Sequence, residues 1–237
     1  MDATIQKMRL TAELATLCHR DVADPGPTPG SDHFQDDDYV RATAKVMAEK
    51  PAGPLWVFAY GSLIWKPEFP TIERRRAVAD GWHRAFSIRI ERYRATPQQP
   101  GYMMCLDRGG QCEGVALRLA DEDLTGQVYK LLNRELSSSE GMESMRWIDL
   151  QTDQGPLRAL CFYAHPHLLK IYAEGRPLPD VAHALARACG HWGSGAEYLY
   201  NTVSHLTEIG IHDANLWQLQ ELVAQEIELI YGRKSQA

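Results

Sequence analysis

The sequence predicts an α+β fold with a mixed or antiparallel β-sheet, preceded by a helical appendage. Segments with strand character cluster in the middle of the chain, and helical segments are inserted among them and appended after them. This order differs from the regular strand–helix alternation that is typical of a parallel sheet. A stretch rich in proline and glycine, DPGPTPGSD at 24–32, interrupts the chain before the first strand.

Length and composition favour one globular domain with an appendage. The chain has 237 residues, of which 44% are hydrophobic and 24% are charged, as in ordinary globular proteins. This length suffices for one sizeable core. We therefore predict an N-terminal helical appendage over 1–50 and the main domain over 51–237, with the boundary in EKPAGP.

Two helices are predicted in the appendage. The apolar residues Ile5, Met8, Leu14 and Leu17 follow helical spacing within 4–19. A second helix is predicted at about 34–49, where it ends before KPAGP.

The main domain is predicted to begin with strands. Their positions are about 55–60, 86–90, 102–106, 114–119, 145–151 and 157–163, several with alternating polarity. The Gly-Gly pair in DRGGQCEG predicts a hairpin turn between the third and fourth of these strands. The helices are predicted at about 121–136, 180–189, 194–208 and 214–231, with Ser194 and Asp213 as N-caps of the last two.

Composition also excludes several classes of function. A net charge of -6 argues against nucleic acid as a partner. No apolar run is long enough to span a membrane, and no nucleotide-binding glycine motif is present. The five cysteines are odd in number and form no CxxC pair, which favours a reducing compartment. We expect a cytoplasmic protein; the sequence does not indicate the oligomeric state.

The stretch PLWVFAYGSLIWKPEF contains an unusual interruption. Gly61 and Ser62 divide a run of apolar and aromatic residues that resumes at once with Leu63. One interpretation is a tight bend or bulge in the chain. The other is a ligand loop, in which the backbone N–H groups of Gly61, Ser62 and Leu63 face an apolar pocket. The segment alone leaves both open.

A carboxylate continues the apolar stripe of the helix at 121–136. Leu124, Val128 and Leu131 lie at helical spacing, and the next position on the same face is Glu135. Burial would raise the pKa of Glu135 and make it a possible general base near neutral pH. Alternatively the last turn frays, and Glu135 lies in solvent or pairs with Arg134.

Other candidate residues carry weaker signals. Ser62 lacks the flanking glycines of a G-x-S-x-G nucleophile elbow. His165 and His167 are separated by a proline without nearby carboxylates, which favours an ordinary loop over a metal site. The hydroxyl of Tyr198, in the first turns of its helix, could contact a ligand or simply pack.

Four blocks in the same order resemble the ChaC-type γ-glutamylcyclotransferases of the bacterial branch. They are VFAYGSLIWKPEFP, RATPQQPGYMMCLDRGGQCEGVALRL, NREL and GSGAEYLYNTVSHLTEIGIHDANLWQLQELV, over roughly 55–230. The resemblance implies a γ-glutamylcyclotransferase-like fold, a mixed or antiparallel sheet or small barrel with surrounding helices. It also implies cyclisation of the γ-glutamyl group of glutathione, or of a related compound, to 5-oxoproline, with release of Cys-Gly from glutathione. The implied partner is therefore a small-molecule substrate, and the implied reaction needs no metal and no cofactor.

The resemblance further implies roles for individual residues. It implies substrate binding by Tyr60, Gly61, Ser62 and Leu63, and catalysis by Glu135 as general acid and base. It implies Tyr198 as a further ligand contact.

One segment departs from the family pattern. The family has a short glycine-containing link from its Arg-Glu pair to a tyrosine, whereas LSSSEGMESMRW is longer and has Met142 near that position. The departure keeps open an alternative, a non-catalytic protein that binds γ-glutamyl compounds or amino acids. A second alternative is a hydrolase with Ser62 as nucleophile.

Overall fold

The chain folds into two compact units. The computed structural model describes residues 7–27, 33–165, 172–173 and 175–232. One unit comprises 1–25, 86–103 and 173–237, and the other comprises 26–85 and 104–172. We refer to them as the helical unit and the barrel unit.

The barrel unit is built on a closed five-stranded barrel. Its strands are β1 (Trp56–Ala59), β2 (Thr71–Ile90), β3 (Gly101–Leu119), β4 (Met145–Thr152) and β5 (Leu157–Phe162). Residues 86–90 of β2 and 101–103 of β3 belong to the helical unit. They are hydrogen-bonded in the order β1-β3-β2-β4-β5. The β1–β3, β2–β4 and β4–β5 pairs are antiparallel, and β1 is parallel to β5. The predicted α+β class with a mixed sheet or small barrel is confirmed.

Large apolar side chains form the core that holds these strands together. Phe58 and Leu106 are fully buried, and Trp82 is nearly so. Burial of a side chain of this size stabilises the folded state by about 1.5–3 kcal/mol. The strands therefore close over a packed interior.

Three helices belong to the barrel unit. They are α2 (Asp36–Glu49), α3 (Leu124–Glu135) and the short α4 (Ser139–Met142). Helix α2 packs against α3. Helix α3 buries Val128, Leu131 and Leu132, as its apolar stripe predicts. This stripe sets the rotation of the helix and therefore the position of its last residue, Glu135.

The helical unit contains the remaining elements. They are α1 (Ala12–Thr16), α5 (Leu178–Leu185), β6 (Cys189–Gly190), β7 (Gly193–Ser194), α6 (Gly195–Glu208) and α7 (Ala214–Tyr231). Helix α7 packs against α1, α5 and α6. The predicted caps are confirmed: Ser194 Oγ accepts from the Glu197 amide at 3.0 Å, and Asp213 Oδ1 accepts from the Leu216 amide at 3.1 Å.

The predicted hairpin at DRGGQCEG is wrong. Residues 107–114 lie inside the continuous strand β3, where Gly109 and Gly110 have φ values of 97° and 68°. His83 Nδ1, on the neighbouring β2, lies 3.0 Å from the Gly109 carbonyl oxygen. The two glycines thus allow a local distortion within a long strand, a role that glycine can take as well as a turn.

The first part of β2 was not predicted from the sequence. Residues 71–76 alternate between half-buried and exposed and include four charged side chains, so their apolar face is weak. Two of these charged side chains, Glu73 and Arg75, form an ion pair, with Arg75 Nε 2.6 Å from Glu73 Oε1. The Arg75 guanidinium also lies 4.6 Å from the centroid of the Trp56 ring. A cation–π contact with β1 and an ion pair within β2 thus replace the expected hydrophobic pattern.

The predicted appendage contributes a helix to each unit. Helix α1 packs against α6 and α7, and the Leu10 amide donates to Gln220 Oε1 at 2.8 Å. Helix α2 packs against α3. The division into an appendage over 1–50 and a domain over 51–237 stays a prediction, which a truncation at residue 50 would test.

None of the five cysteines forms a disulfide, and all five are buried. Burial raises the pKa of Cys161 to about 12 and that of Cys18 to about 11, because the uncharged thiol is favoured away from water. Separately, no helix among the described residues is long and apolar enough to cross a membrane.

Gly114 provides a test of the packing between β1 and β3. A Cβ atom at this position would lie 2.5 Å from the Ala59 carbonyl oxygen and 2.8 Å from the Phe58 ring. We expect Gly114→Ala to lower the free energy of unfolding by about 1–3 kcal/mol, because the strands must separate to admit the methyl group. Thermal unfolding measures this loss.

Gly232→Ala is the matched control, since a Cβ there meets nothing within 4 Å and φ is -65°. An unchanged melting temperature in Gly114→Ala would contradict the close approach of the two strands.

Candidate active site

The chain leaves β1 through Tyr60 and turns sharply at Gly61. Residues Ser62–Ile64 form one turn of 3₁₀ helix, and Gly61 and Leu63 are buried. The buried Arg84 of β2 donates from Nε to the Tyr60 carbonyl oxygen at 2.6 Å. This hydrogen bond ties the start of the turn to the neighbouring strand.

The turn presents three consecutive backbone donors. Within the part of the chain that the structure describes, the amides of Gly61, Ser62 and Leu63 have no hydrogen-bond acceptor, whereas the Ile64 amide donates to the Gly61 carbonyl at 2.9 Å. Amides at the start of a helical turn lack an acceptor within the turn. Buried N–H groups need a partner, from water or from a ligand. The geometry therefore favours the ligand-loop interpretation, and substrate binding by Tyr60–Leu63 stays a prediction.

Glu135 is the last residue of α3, and its carboxylate is largely shielded from water. Its side chain is 23% exposed, and Oε1 lies 3.0 Å from Arg134 Nε. The helix does not fray before this residue, because the Leu136 amide still donates to the Leu132 carbonyl at 2.9 Å. The two sequence interpretations thus combine: Glu135 is half-buried and is also paired with Arg134.

Arg134 connects Glu135 to the turn after β1. Its Nη2 donates to Ser62 Oγ at 3.0 Å. Its Nη1 donates to the Lys66 carbonyl oxygen and lies 3.5 Å from Glu68 Oε2. The guanidinium therefore brings the YGSL turn and the carboxylate of Glu135 into one hydrogen-bonded network.

The surroundings of Glu135 favour its protonated form. Burial is the largest influence and raises the pKa of Glu135 above the ordinary glutamate value. The positive charge and hydrogen bond of Arg134 act in the opposite direction, and the negative charge of Glu68 adds to the increase. A carboxylate with a raised pKa is a better proton acceptor near neutral pH than an ordinary one.

Tyr198 lies in the helical unit, near the start of α6. It is 7% exposed, its ring is 6.1 Å from that of Phe86, and the Arg94 guanidinium lies 5.3 Å from its centroid. These contacts describe a packed tyrosine within that unit. Its predicted role as a ligand contact stays a prediction.

Sequence reasoning missed two parts of the network. Arg84 is one of five arginines in β2, and no motif distinguishes it from the others. Glu68 follows the turn in a short polar stretch, where a charged residue is expected in any case. Arg134 was considered as a partner of Glu135, but its hydrogen bonds to Ser62 and Lys66 depend on tertiary structure.

The described residues contain no group of three or more histidine, cysteine or acidic side chains that could hold a metal ion. His165 belongs to the described residues, whereas His167 lies outside them.

Met142, which departs from the family pattern, lies at the end of α4. It lines a small surface pocket together with residues of α2, β4 and β5. Neither Glu135 nor the YGSL turn lines this pocket. The position of Met142 is therefore separate from the Arg134 network, beside a pocket that α2 of the predicted appendage also lines.

The chain is similar in sequence to known proteins. The family model of ChaC-like proteins matches residues 55–226. The glutathione-specific gamma-glutamylcyclotransferase of Escherichia coli K12 is 35% identical over 175 residues, which cover 73% of this chain and 74% of that protein. Its counterpart from Schizosaccharomyces pombe is 41% identical over 198 residues, covering 75% and 96%.

A solved structure extends the likeness to the fold. The crystal structure of the selenomethionine-labelled γ-glutamyl cyclotransferase specific to glutathione from yeast has a TM-score of 0.65 at 18% identity. The match covers 73% of this chain and 96% of that one. The predicted γ-glutamylcyclotransferase-like fold is confirmed.

The charged neighbours of Glu135 allow a prediction of how its pKa changes in variants. We expect Glu68→Gln to lower the pKa of Glu135, because a like charge is removed, and Arg134→Gln to raise it further, because the compensating cation is lost. The measurement is a ¹³C NMR titration of the Glu135 carboxyl group.

Glu143→Gln, which changes an exposed carboxylate beyond α4, serves as the control and should leave this titration unaltered. A lower pKa of Glu135 in Arg134→Gln would be inconsistent with the described ion pair.

Proposed function

Because the chain belongs to the ChaC-like family, whose model matches residues 55–226, we propose that it cyclises the γ-glutamyl group of glutathione to 5-oxoproline and releases Cys-Gly. The observation that carries this proposal is the Arg134 network, which joins Glu135 to the YGSL turn. The relatives from E. coli and S. pombe, both named as glutathione-specific γ-glutamylcyclotransferases, support the choice of substrate.

The reaction is an intramolecular transfer. The α-amino nitrogen of the substrate attacks its own γ-carbonyl carbon, a C–N bond of the five-membered ring forms, and the amide bond to cysteine breaks. No water is consumed, and no acyl-enzyme is formed. Holding the amine and carbonyl in register supplies much of the acceleration, since well-oriented intramolecular reactions reach effective molarities on the order of 10⁵ M or more.

Glu135 acts as the general base and then as the general acid of this reaction. Its carboxylate takes a proton from the α-ammonium group, so that the amine becomes a nucleophile, and later gives a proton to the departing amide nitrogen. General acid–base catalysis of this kind contributes roughly 10²–10⁴-fold. Since burial raises the pKa of Glu135, activity rises with pH as this carboxyl ionises, at higher pH than for an exposed glutamate.

The YGSL turn is the proposed receptor for the γ-glutamyl group. The amides of Gly61, Ser62 and Leu63 supply N–H donors that require no side chain, which explains why small residues interrupt the apolar run. Donors aimed at the carbonyl oxygen also stabilise the negative charge that develops there. Tyr198 is proposed as a further ligand contact.

The rival functions have less support. Ser62 Oγ accepts a hydrogen bond from Arg134, and a guanidinium cannot take the proton that a serine nucleophile must lose. A non-catalytic binding protein would gain nothing from a buried carboxylate with a raised pKa beside the ligand loop. The cyclotransferase reaction uses both features.

Glu135→Gln tests the role of the carboxylate. We expect turnover of glutathione to fall by roughly 10²-fold or more, while the fold and much of the substrate affinity remain, because the amide keeps the shape and loses the proton-accepting oxygen. Mass spectrometry of 5-oxoproline and Cys-Gly, with calorimetric binding in parallel, measures both properties.

The exposed Glu143, changed to Gln, is again the matched control and should retain the wild-type rate. If Glu135→Gln also turned over at that rate, the catalytic assignment would be wrong.

An analogue blocked at nitrogen tests the mechanism. Glutathione acetylated on the glutamyl α-nitrogen should release no Cys-Gly, because acetylation delocalises the lone pair of the attacking nitrogen. Release is measured from both compounds with the same enzyme. A hydrolase would still cleave the γ-amide and give N-acetylglutamate, so release of Cys-Gly from the blocked compound refutes cyclisation.

A further inference from the structure

Residues 33–39, which we call the N-terminal clasp, contact the chain immediately after Glu135. His33 forms an isolated antiparallel bridge with Ser138. The Phe34 amide donates to the Ser137 carbonyl oxygen at 3.1 Å, and His33 Nδ1 lies 3.2 Å from the same oxygen. The clasp precedes residues 55–226, the part matched by the family model. These contacts are therefore made by a part of the chain outside that match.

Tyr39 makes the most buried contact of the clasp. Its hydroxyl donates to the Leu136 carbonyl oxygen at 2.9 Å. Tyr39 is 8% exposed and Leu136 is 4% exposed, so water has little access to this hydrogen bond. Leu136 is the residue directly after Glu135.

Packing holds the Tyr39 side chain in place. Its ring lies 5.2 Å from that of Phe34 and 5.9 Å from that of Tyr129, both in edge-on geometry. Tyr129 belongs to α3, the helix that carries Glu135, and α2 packs against this helix. Packing between α2 and α3 thus places the hydroxyl of Tyr39 at the end of α3.

The end of α3 needs such support. Leu136 has an extended backbone, with φ -115° and ψ 143°, and therefore ends the helix. The last carbonyl groups of a helix receive no hydrogen bond from an amide of the same helix. Helix ends without outside partners fray. A shift of about 1 Å in a catalytic group can reduce a rate by roughly 100-fold.

We infer that Tyr39, aided by the rest of the clasp, is a positioning residue that holds the Glu135 carboxylate in register with the YGSL turn. The inference rests on the proposed function, because it assumes that Glu135 acts on glutathione. It gives a purpose to part of the segment that precedes the family match. It also supplies outside support to the segment that departs from the family pattern after Glu135.

The test compares two tyrosines that pack against each other. Tyr39→Phe removes the donor to Leu136 and keeps the ring. Tyr129→Phe is the control, since its hydroxyl lies 3.5 Å from Asp36 Oδ1 and does not contact residues 136–138 in the described structure. For each variant and the wild type, kcat and KM for glutathione and the pH profile of kcat/KM are measured.

We expect Tyr39→Phe to lower kcat by roughly tenfold with little change in KM, and Tyr129→Phe to match the wild type. The acidic limb of the profile should move to lower pH in Tyr39→Phe, because a loosened helix end hydrates Glu135 and lowers its pKa. The charged groups next to Glu135, Arg134 and Glu68, are unchanged in both variants, as is His33 at the clasp. A merely stabilising hydrogen bond would not move this limb.

Hydrogen exchange at a temperature where both variants are folded provides an independent measurement. The amides of 135–138 should exchange faster in Tyr39→Phe than in Tyr129→Phe. Equal kcat, equal pH profiles or equal exchange in the two variants would overturn the inference while leaving the proposed function intact. A wild-type protein that forms no 5-oxoproline from glutathione would overturn both.

Discussion

The guanidinium of Arg134 is the contact on which the arrangement of the site depends. One planar cation donates to Ser62 Oγ and to the Lys66 carbonyl, and pairs with Glu135 and Glu68. Arginine suits this position because its five donors point in fixed directions and its charge does not titrate. Through these contacts it gives the turn after β1 and the end of α3 a direct polar connection. The site is thus a junction between a barrel strand and a helix end.

This junction balances two opposing requirements on Glu135. A carboxylate shielded from water must be compensated, or it stays protonated and cannot accept a proton. A carboxylate that is paired too well becomes a poor base. The positive charge of Arg134 offsets part of the increase in the pKa of Glu135 that burial causes. Glu68 also pairs with Arg134, and its negative charge raises the pKa of Glu135. The result is a carboxyl group whose pKa remains raised although it has a cationic neighbour.

The sequence predicted the α+β class, the end of α3 and the two caps because these depend on local patterns. The patterns are the order of strand and helix segments, the apolar periodicity of α3 and the side chains that cap the next turn. It failed where partners distant in sequence decide. Gly109 and Gly110 were interpreted as a hairpin, since a glycine pair is compatible with a turn and with a distorted strand alike. The first part of β2 was missed because Arg75 packs on Trp56 of another strand. Arg84 and Glu68 could not be recognised, because their roles arise when β2 and the turn after β1 meet.

The buried cysteines have a consequence for the proposed reaction with glutathione. Thiol–disulfide exchange requires a thiolate, and with a pKa of about 12 the ionised fraction of Cys161 near pH 7 is about one in 10⁵. Cys18, at about 11, is ionised about once in 10⁴ molecules at that pH. These two thiols therefore form mixed disulfides with oxidised glutathione only slowly. Cys18 and Cys161 are therefore protected from modification by the thiols and disulfides that accompany such a substrate.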